Sequence, residues 1–381
     1  MTLSDPGPDQ LADRLALAPR TLPEDARRAN RSLILRALHH GGPASRADLS
    51  KLVGLTPATV SSVVRDLTET GLLHELGRTS GNVGKPATMI GIEPTGRQVV
   101  SISLSEPDRF VGALVDLAGE VTAHREYDRA GRTGDDAVDL VRTIADDLIA
   151  AADRPIAGIG IASPGIVDQH GIVLRAARLG WTKLALADEI GLHTGRPTFV
   201  ANDANAAALA ELTFGRSYAT DFVLLRVGQG VGAGLVLGGS LYYGSRAASG
   251  EIGHVVVDPD GDLCTCGKQG CLETVISAPL LDSRLRDSDE ATQVHVLTHA
   301  GEHLGTALAT VLSVLDIGDV VISGPDAVLT DTFRNAVVAS VADRTMPEIS
   351  DALVARASTF GHDDVVLGAA ALVLDREVGI R

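Results

Sequence analysis

Gly250-Glu251-Ile252-Gly253-His254, resumed at Cys264-Thr265-Cys266 and closed by Gly267-Lys268-Gln269-Gly270-Cys271-Leu272-Glu273, is the stretch on which the fold of this chain turns. It holds all 3 cysteines of the 381 residues, together with a histidine. Three thiolates and one imidazole make a complete tetrahedral zinc set, His254, Cys264, Cys266 and Cys271. Four protein ligands leave no open position for water or substrate, so the metal predicted here is structural, a Zn²⁺ that holds a loop in shape. The surrounding glycines permit the tight turns such a loop needs. The alternative is three ordinary buried cysteines and a surface histidine.

Outward from this loop, length and composition allow two or three domains. A hydrophobic content of 45% fits a soluble globular protein. The start of the chain lacks the apolar run of a signal peptide, and no apolar segment has the length of a membrane span. A cytoplasmic protein with reduced cysteines, without a membrane partner, is the expectation.

The net charge of −16 is unevenly spread. From Arg27 to Gly91 there are 9 basic residues against 4 acidic ones, a net +5, which leaves −21 for the rest. A basic module on an acidic body is the layout of a DNA-reading head joined to an effector-sensing part. The pattern agrees. Ala29 to His39 carries Leu33, Ile34, Ala37 and Leu38 at helical spacing, and Gly41-Gly42-Pro43 stops it. Ser45 can cap a second helix through Leu52, with Ala47, Leu49 and Leu52 inward. Gly54 permits a turn, and Thr56-Pro57 opens a third helix to about Thr70, with Val60, Val63, Val64 and Leu67 buried. Leu72 to Leu76 and Ala87 to Ile92 read as strands around a glycine-rich loop. The whole is a winged helix-turn-helix over residues 27–92. Its candidate DNA contacts are Ser45, Arg46, Thr56, Thr59, Ser61, Ser62, Arg65, Arg78 and Lys85, short hydroxyls and long cations suited to base edges and phosphates. A helical bundle used for protein contacts is the competing reading. Residues 1–26 are expected to be a mobile arm.

After Pro94 strand-like and helix-like stretches alternate. Strands are predicted at 99–104, 109–117, 156–162, 198–200, 222–227, 234–237 and 320–323, and helices at 135–152, 204–214, 294–315, 330–344 and 363–374. This is an α/β body, residues 93–381, large enough for two lobes with a cleft between them.

The 250–254 segment, the 264–273 run and Val200-Ala201-Asn202-Asp203-Ala204-Asn205 together resemble the ROK family of repressors and sugar kinases, over about residues 29 to 375. The resemblance implies an actin-like, sugar-kinase (ribonuclease H-like) ATPase fold with two lobes and a structural zinc loop. It also implies dimers or tetramers, and, for members with a winged helix, regulation of carbohydrate genes. Carried over by position, Asn202, Asp203, Glu251, His254 and Glu273 are the implied sugar contacts, with His254 doubling as a zinc ligand and Asp203 standing where kinases keep a general base. Carboxylates and an amide suit a ring of hydroxyls. Asp203 alone could instead cap the helix that begins near Ala204. Where relatives often read Asn-Leu-Gly-Trp, this chain has Arg178-Leu179-Gly180-Trp181. Arg178 would either favour an acidic or phosphorylated sugar, or fill the pocket and point outward.

The kinases of that family carry an Asp-x-Gly-Gly-Thr phosphate turn, and the corresponding positions here are Leu104, Ser105, Glu106, Pro107 and Asp108. Two carboxylates and a proline replace a cradle of backbone N–H groups. The second phosphate loop, Gly228-Gln229-Gly230-Val231-Gly232-Ala233-Gly234, is better kept, and the adenosine-side turn reads Ser323-Gly324-Pro325. No ATP and no catalytic residue are expected. The expectation is a sugar-responsive, homodimeric repressor that binds a double-stranded operator and a sugar or sugar derivative. A sugar kinase with a DNA-binding extension is the alternative.

Overall fold

The computed structural model describes residues 23–78, 87–215 and 219–380. It divides into two compact units, the first ending at Glu93 and the second running from Pro94 to Gly379.

In the first unit, helix α1 (Pro23–Gly41) leads to β1 (Ala44–Ser45), α2 (Arg46–Val53), α3 (Pro57–Glu69), β2 (Leu73–Arg78) and β3 (Thr88–Ile92). The strands form one sheet in the order β1-β3-β2. Capping explains the helix starts: Ser45 accepts from the Asp48 N–H, and Thr56 accepts from the Thr59 N–H just ahead of Pro57. Gly54, at φ 68°, makes the left-handed turn between α2 and α3. The core takes Ile34, Leu35 and Leu38 from α1, Leu49 from α2, and Val60, Val63, Val64 and Leu67 from α3.

Several expectations need correcting. The first helix begins at Pro23, so residues 23–26 are helical rather than part of an arm, and residues 1–22 lie outside the described ones. Leu33 and Leu52 are 43% and 67% exposed, and Ala47 is exposed as well. Ile34 and Leu38 are buried as expected, and Leu35 takes the core place assigned to Leu33. In α2 the partly buried Val53, one turn beyond Leu49, takes the inward place assigned to Leu52. The loop between β2 and β3, with Lys85, lies outside the described residues, as does the side chain of Arg78.

The second unit is built on two five-stranded sheets. One comprises β4 (Gln98–Ser103), β5 (Arg109–Asp116), β6 (Val121–Asp128), β7 (Ile156–Ser163) and β11 (Thr198–Asn202), in the order β11-β7-β4-β5-β6. The other comprises β12 (Phe222–Val227), β13 (Val231–Leu237), β14 (Ser240–Leu241), β15 (Asp319–Ser323) and β16 (Val354–Ala357), in the order β14-β13-β12-β15-β16. The two orders are the same pattern. Each sheet is an antiparallel meander of three strands extended by two parallel strands beside its first member. A smaller sheet of β8 (Ile166–Val167), β9 (Val173–Ala176) and β10 (Trp181–Leu184) is inserted between β7 and β11.

Helices α4 (Gly134–Ala151) and α5 (Leu186–Thr194) serve the first sheet. Helices α7 (Ala278–Leu285), α8 (Glu290–Leu315) and α9 (Asp331–Ala342) serve the second. Helices α6 (Asp203–Phe214) and α10 (Asp364–Val373) pack against each other. Their approach is close enough that a Cβ on Gly368 would sit 1.8 Å from the Ala206 carbonyl oxygen. On the strand beneath, a Cβ on Gly160 would sit 1.9 Å from the Ala369 oxygen, so only glycine fits at either place. Glu211 of α6 is fully buried. Its carboxylate accepts from Arg356 at 2.9 Å and Ser358 at 3.0 Å, tying the helix to the end of β16.

Candidate functional site

The sharp junction of β11 and α6 is made by Asn202. Its Oδ1 accepts from the backbone N–H groups of Ala204 (2.9 Å) and Asn205 (3.1 Å), while its Nδ2 donates to the Gly165 carbonyl (2.8 Å) and to Asp203 Oδ1 (3.2 Å). Asn202 is therefore the cap of α6, a part the sequence offered to Asp203. Its amide is used up on both sides, and the effect is to hold Asp203 still. Asp203 faces a cavity of about 430 Å³ that Asn202, Glu251, His254 and Glu273 also line, so all five expected sugar contacts come together. Exposed Arg178 lines the same cavity, while the buried Trp181 indole donates to the Gly134 carbonyl at 2.9 Å and anchors that loop.

The four sulfur and nitrogen ligands converge as well. One donor atom from each of His254, Cys264, Cys266 and Cys271 lies within 4.8 Å of all the others, so the group could hold a metal ion. Cys264 Sγ is 3.5 Å from His254 Nδ1, and Cys266 Sγ is 3.6 Å from Cys271 Sγ. A tetrahedral ion with thiolates at about 2.3 Å and an imidazole nitrogen at about 2.0–2.1 Å would set these separations near 3.6 and 3.8 Å. The His254 atom placed to hold such an ion is Nδ1, and its Nε2 stands 3.8 Å from Glu251 Oε2 at the cavity wall. Burial and then the neighbouring thiols Cys266 and Cys264 push the Cys271 thiol up to about 12, whereas the Lys268 N–H leads the groups that hold Cys266 below the usual thiol range. Crowded sulfurs of this kind need a cation to be held as thiolates. Glu273 links loop and cleft: Oε1 is 4.0 Å from Cys264 Sγ, and Oε2 accepts from the Val231 N–H at 3.1 Å. Burial raises the Glu251 carboxyl above its ordinary range, His254 opposes this, and Asp203 and Glu273 add to it.

The residue that sequence reasoning missed is Arg226, on β12. Its Nη1 is 3.4 Å from Asp203 Oδ2, and its side chain is only 15% exposed. Arg226 also lines a second cavity, of about 520 Å³, with Glu106, Arg109, Ser323, Gly324, Pro325 and Asp364. Burial disfavours its charge, but Asp203, Asp364 and Glu106 together outweigh that and hold its pKa above the ordinary value. Burial pushes the Asp364 carboxyl up, against Arg226, the Ser323 hydroxyl and the Val365 N–H. An arginine inside an apolar strand carries a readable signal, a charge where the pattern asks for none, whereas an aspartate at a helix start is ordinary and carries none. Leu104, at the head of the altered phosphate turn, is 1% exposed and belongs to the core. Arg109 Nε is 3.5 Å from Glu126, so this cation is shared with a carboxylate.

In the winged-helix unit, Ser61, Ser62 and Arg65 are exposed along one side of α3. Thr56 and Thr59 join hydroxyls at 2.9 Å at the start of that helix. Arg46 pairs with Glu75 at 3.1 Å. Ser45 departs from its expected place: it is 5% exposed and its hydroxyl is taken up in capping, donating to Asp48 Oδ2 at 2.7 Å, so it offers nothing to a DNA surface.

The described residues contain no helix long and apolar enough to cross a membrane. Residues 27–73 match a model for winged helix-turn-helix DNA-binding domains, and residues 107–376 match the ROK family model. The DNA-binding transcriptional repressor Mlc of Escherichia coli is 28% identical over 379 residues, 91% of this chain and 93% of Mlc. The xylose repressor of Bacillus subtilis is 26% identical over 369 residues, 92% of this chain and 96% of that protein. A solved ROK family transcriptional regulator, a homolog of the Escherichia coli MLC protein, superposes with a TM-score of 0.80 at 28% identity, covering 93% of this chain and 98% of its own. With its cysteine loop, its paired sheets and a family match over most of its length, this chain belongs to the ROK family.

Proposed function

We propose that this protein is a sugar-responsive transcriptional repressor without kinase activity, acting in the cytoplasm as a homodimer on a pseudo-palindromic operator. Residues 27–92 would be the DNA-binding domain and 93–381 the sensing domain. The observation that carries the reading is the pairing of a winged-helix unit with a cleft where Asn202, Asp203, Glu251, His254 and Glu273 face one cavity. The repressors that match over nine-tenths of the chain support it, and one of them is named for a sugar. The Cys264, Cys266, Cys271 and His254 set is assigned to a structural Zn²⁺, whose chemistry when bound is to fix the loop that carries His254 and Glu273. Sugar hydroxyls would donate to Asp203, Glu251 and Glu273, with Asn202 positioning Asp203. Arg65, Ser61, Ser62, Thr59, Thr56, Arg46, Arg78 and Lys85 are assigned to the DNA face, and Ser45 to its support. A difference of about 3 kcal/mol between the sugar affinities of two conformations would change operator binding on the order of a hundredfold.

The absence of kinase activity rests on charge and geometry. The phosphate side of the cleft holds Glu106, Asp363 and Asp364 against Arg226 and Arg109, and the glycine cradle is gone. Asp203 accepts from Asn202 and Ala204 on one oxygen and meets Arg226 on the other, which occupies the group a kinase would need as base. One observation favours a kinase: Asp203 and the glycine-rich 228–234 turn line one cavity. Purified protein would be mixed with fragmented DNA of its own genome, with and without a sugar panel, and the retained fragments sequenced. Discrete palindromic sites whose retention changes with one sugar are expected. No enrichment in any condition, with ADP released from ATP in the presence of a sugar, would replace the regulator by the kinase.

A further inference from the structure

Helix α8 carries His295, His299 and His303 four residues apart, so one side of the helix presents three imidazoles in succession. None of the three lines either cavity or belongs to the cysteine loop. The rings of His299 and His303 have centroids 4.4 Å apart at an interplanar angle of 69°, and their Nε2 atoms stand 3.2 Å from each other. Two imidazole nitrogens at about 2.0–2.1 Å on one tetrahedral ion would be about 3.3 Å apart. The pair has that spacing. His295 lies one turn away, with its ring centroid 6.4 Å from that of His299.

We propose that His299 and His303 form a second metal site, a two-histidine chelate for a divalent transition-metal ion that favours imidazole: Ni²⁺, Cu²⁺ or Zn²⁺. His295 and His299 are exposed, so an ion has access from solvent. His303 is partly buried. Burial, His299 and Arg344 push its pKa down while Asp258 and Glu302 oppose them, a direction that favours the neutral ring whose lone pair a metal requires. His299-Ala300-Gly301-Glu302-His303 also has the spacing of a helical two-histidine zinc motif of hydrolases. Neither described cavity includes the pair, and the role assigned to it is ion binding alone.

The test uses the full-length protein with its cysteine loop loaded with zinc, checked by elemental analysis. Ni²⁺ is titrated calorimetrically into the native protein, into His299→Ala and into His299→Ala/His303→Gln. The native chain is expected to take one further Ni²⁺. The single variant, at an exposed position, should lose affinity on the order of tenfold or more because a chelate becomes a single ligand. The double variant should take no further ion. With Cu²⁺, electron paramagnetic resonance should show coupling to at least two nitrogens in the native protein and fewer in the single variant. Native protein that takes no further ion, or a His299→Ala protein that binds like the native one, would overturn the site and leave the two rings as a hydrogen-bonded pair.

Discussion

Asp203 and Arg65 are the residues on which the two halves of the proposed function can be separated. Asp203→Ala removes a cleft carboxylate and leaves the winged unit untouched, so operator affinity without sugar should stay native while the sugar response disappears. Gel-shift titrations with and without the effector read both. Normal induction would move the sugar site elsewhere. Arg65→Ala should weaken operator binding about equally across sequences and lower the salt slope by about one, as the loss of one phosphate contact does. An unchanged slope would take Arg65 out of the interface. At this scale Asn202, Asp203, Glu251, His254 and Glu273 were legible only through the family resemblance their segments carry, and the structure lines one cavity with them. Arg226 and Asp364 were hidden: each lies within an apolar segment, and only the fold shows that the two segments meet.

Elements are held by contacts of the same buried kind. Glu211 joins α6 to the end of β16 through Arg356, Ser358 and Thr359, with its carboxylate fully out of solvent. Glu211→Ala leaves Arg356 with Asp319, at 3.3 Å, as its remaining carboxylate partner, and breaking such a buried pair costs about 3–5 kcal/mol. Urea denaturation of the body should show a loss of that size. A change below about 1 kcal/mol would mean that Arg356 turns to Asp319 at no expense. Helices with periodic apolar faces were readable to within a few residues, as with α4 and its buried Val138, Val141, Ile144 and Leu148. The strand β6 was not. Val121 to Asp128 lies at a sheet edge with most of its side chains exposed, so its residues show no apolar alternation.

For the molecule as a whole, the repeat of one strand order in both sheets could not be read from the chain, because the matching strands are joined by insertions of different length and composition. The cysteine loop was readable because its ligands are close in sequence. Removing the zinc proposed there with a chelator should loosen the body and abolish sugar binding, since His254 and Glu273 flank that loop. The winged unit should keep its own melting transition, and thermal scans of chelated and zinc-restored protein would show whether it does. Retained sugar affinity after complete zinc removal would make the metal dispensable for the cleft.

The Arg226 guanidinium also has a mechanical consequence. It stands on the second sheet, while Asp203 follows directly on β11 of the first, Asp364 begins a helix packed on the first, and Ser323 of the second sheet bonds to Asp364. Drawing the sheets apart at this point would strip buried charges of their partners, at a cost of several kcal/mol. A tilt of the two sheets about Arg226 would keep these pairs, whereas prising the sheets apart would break them.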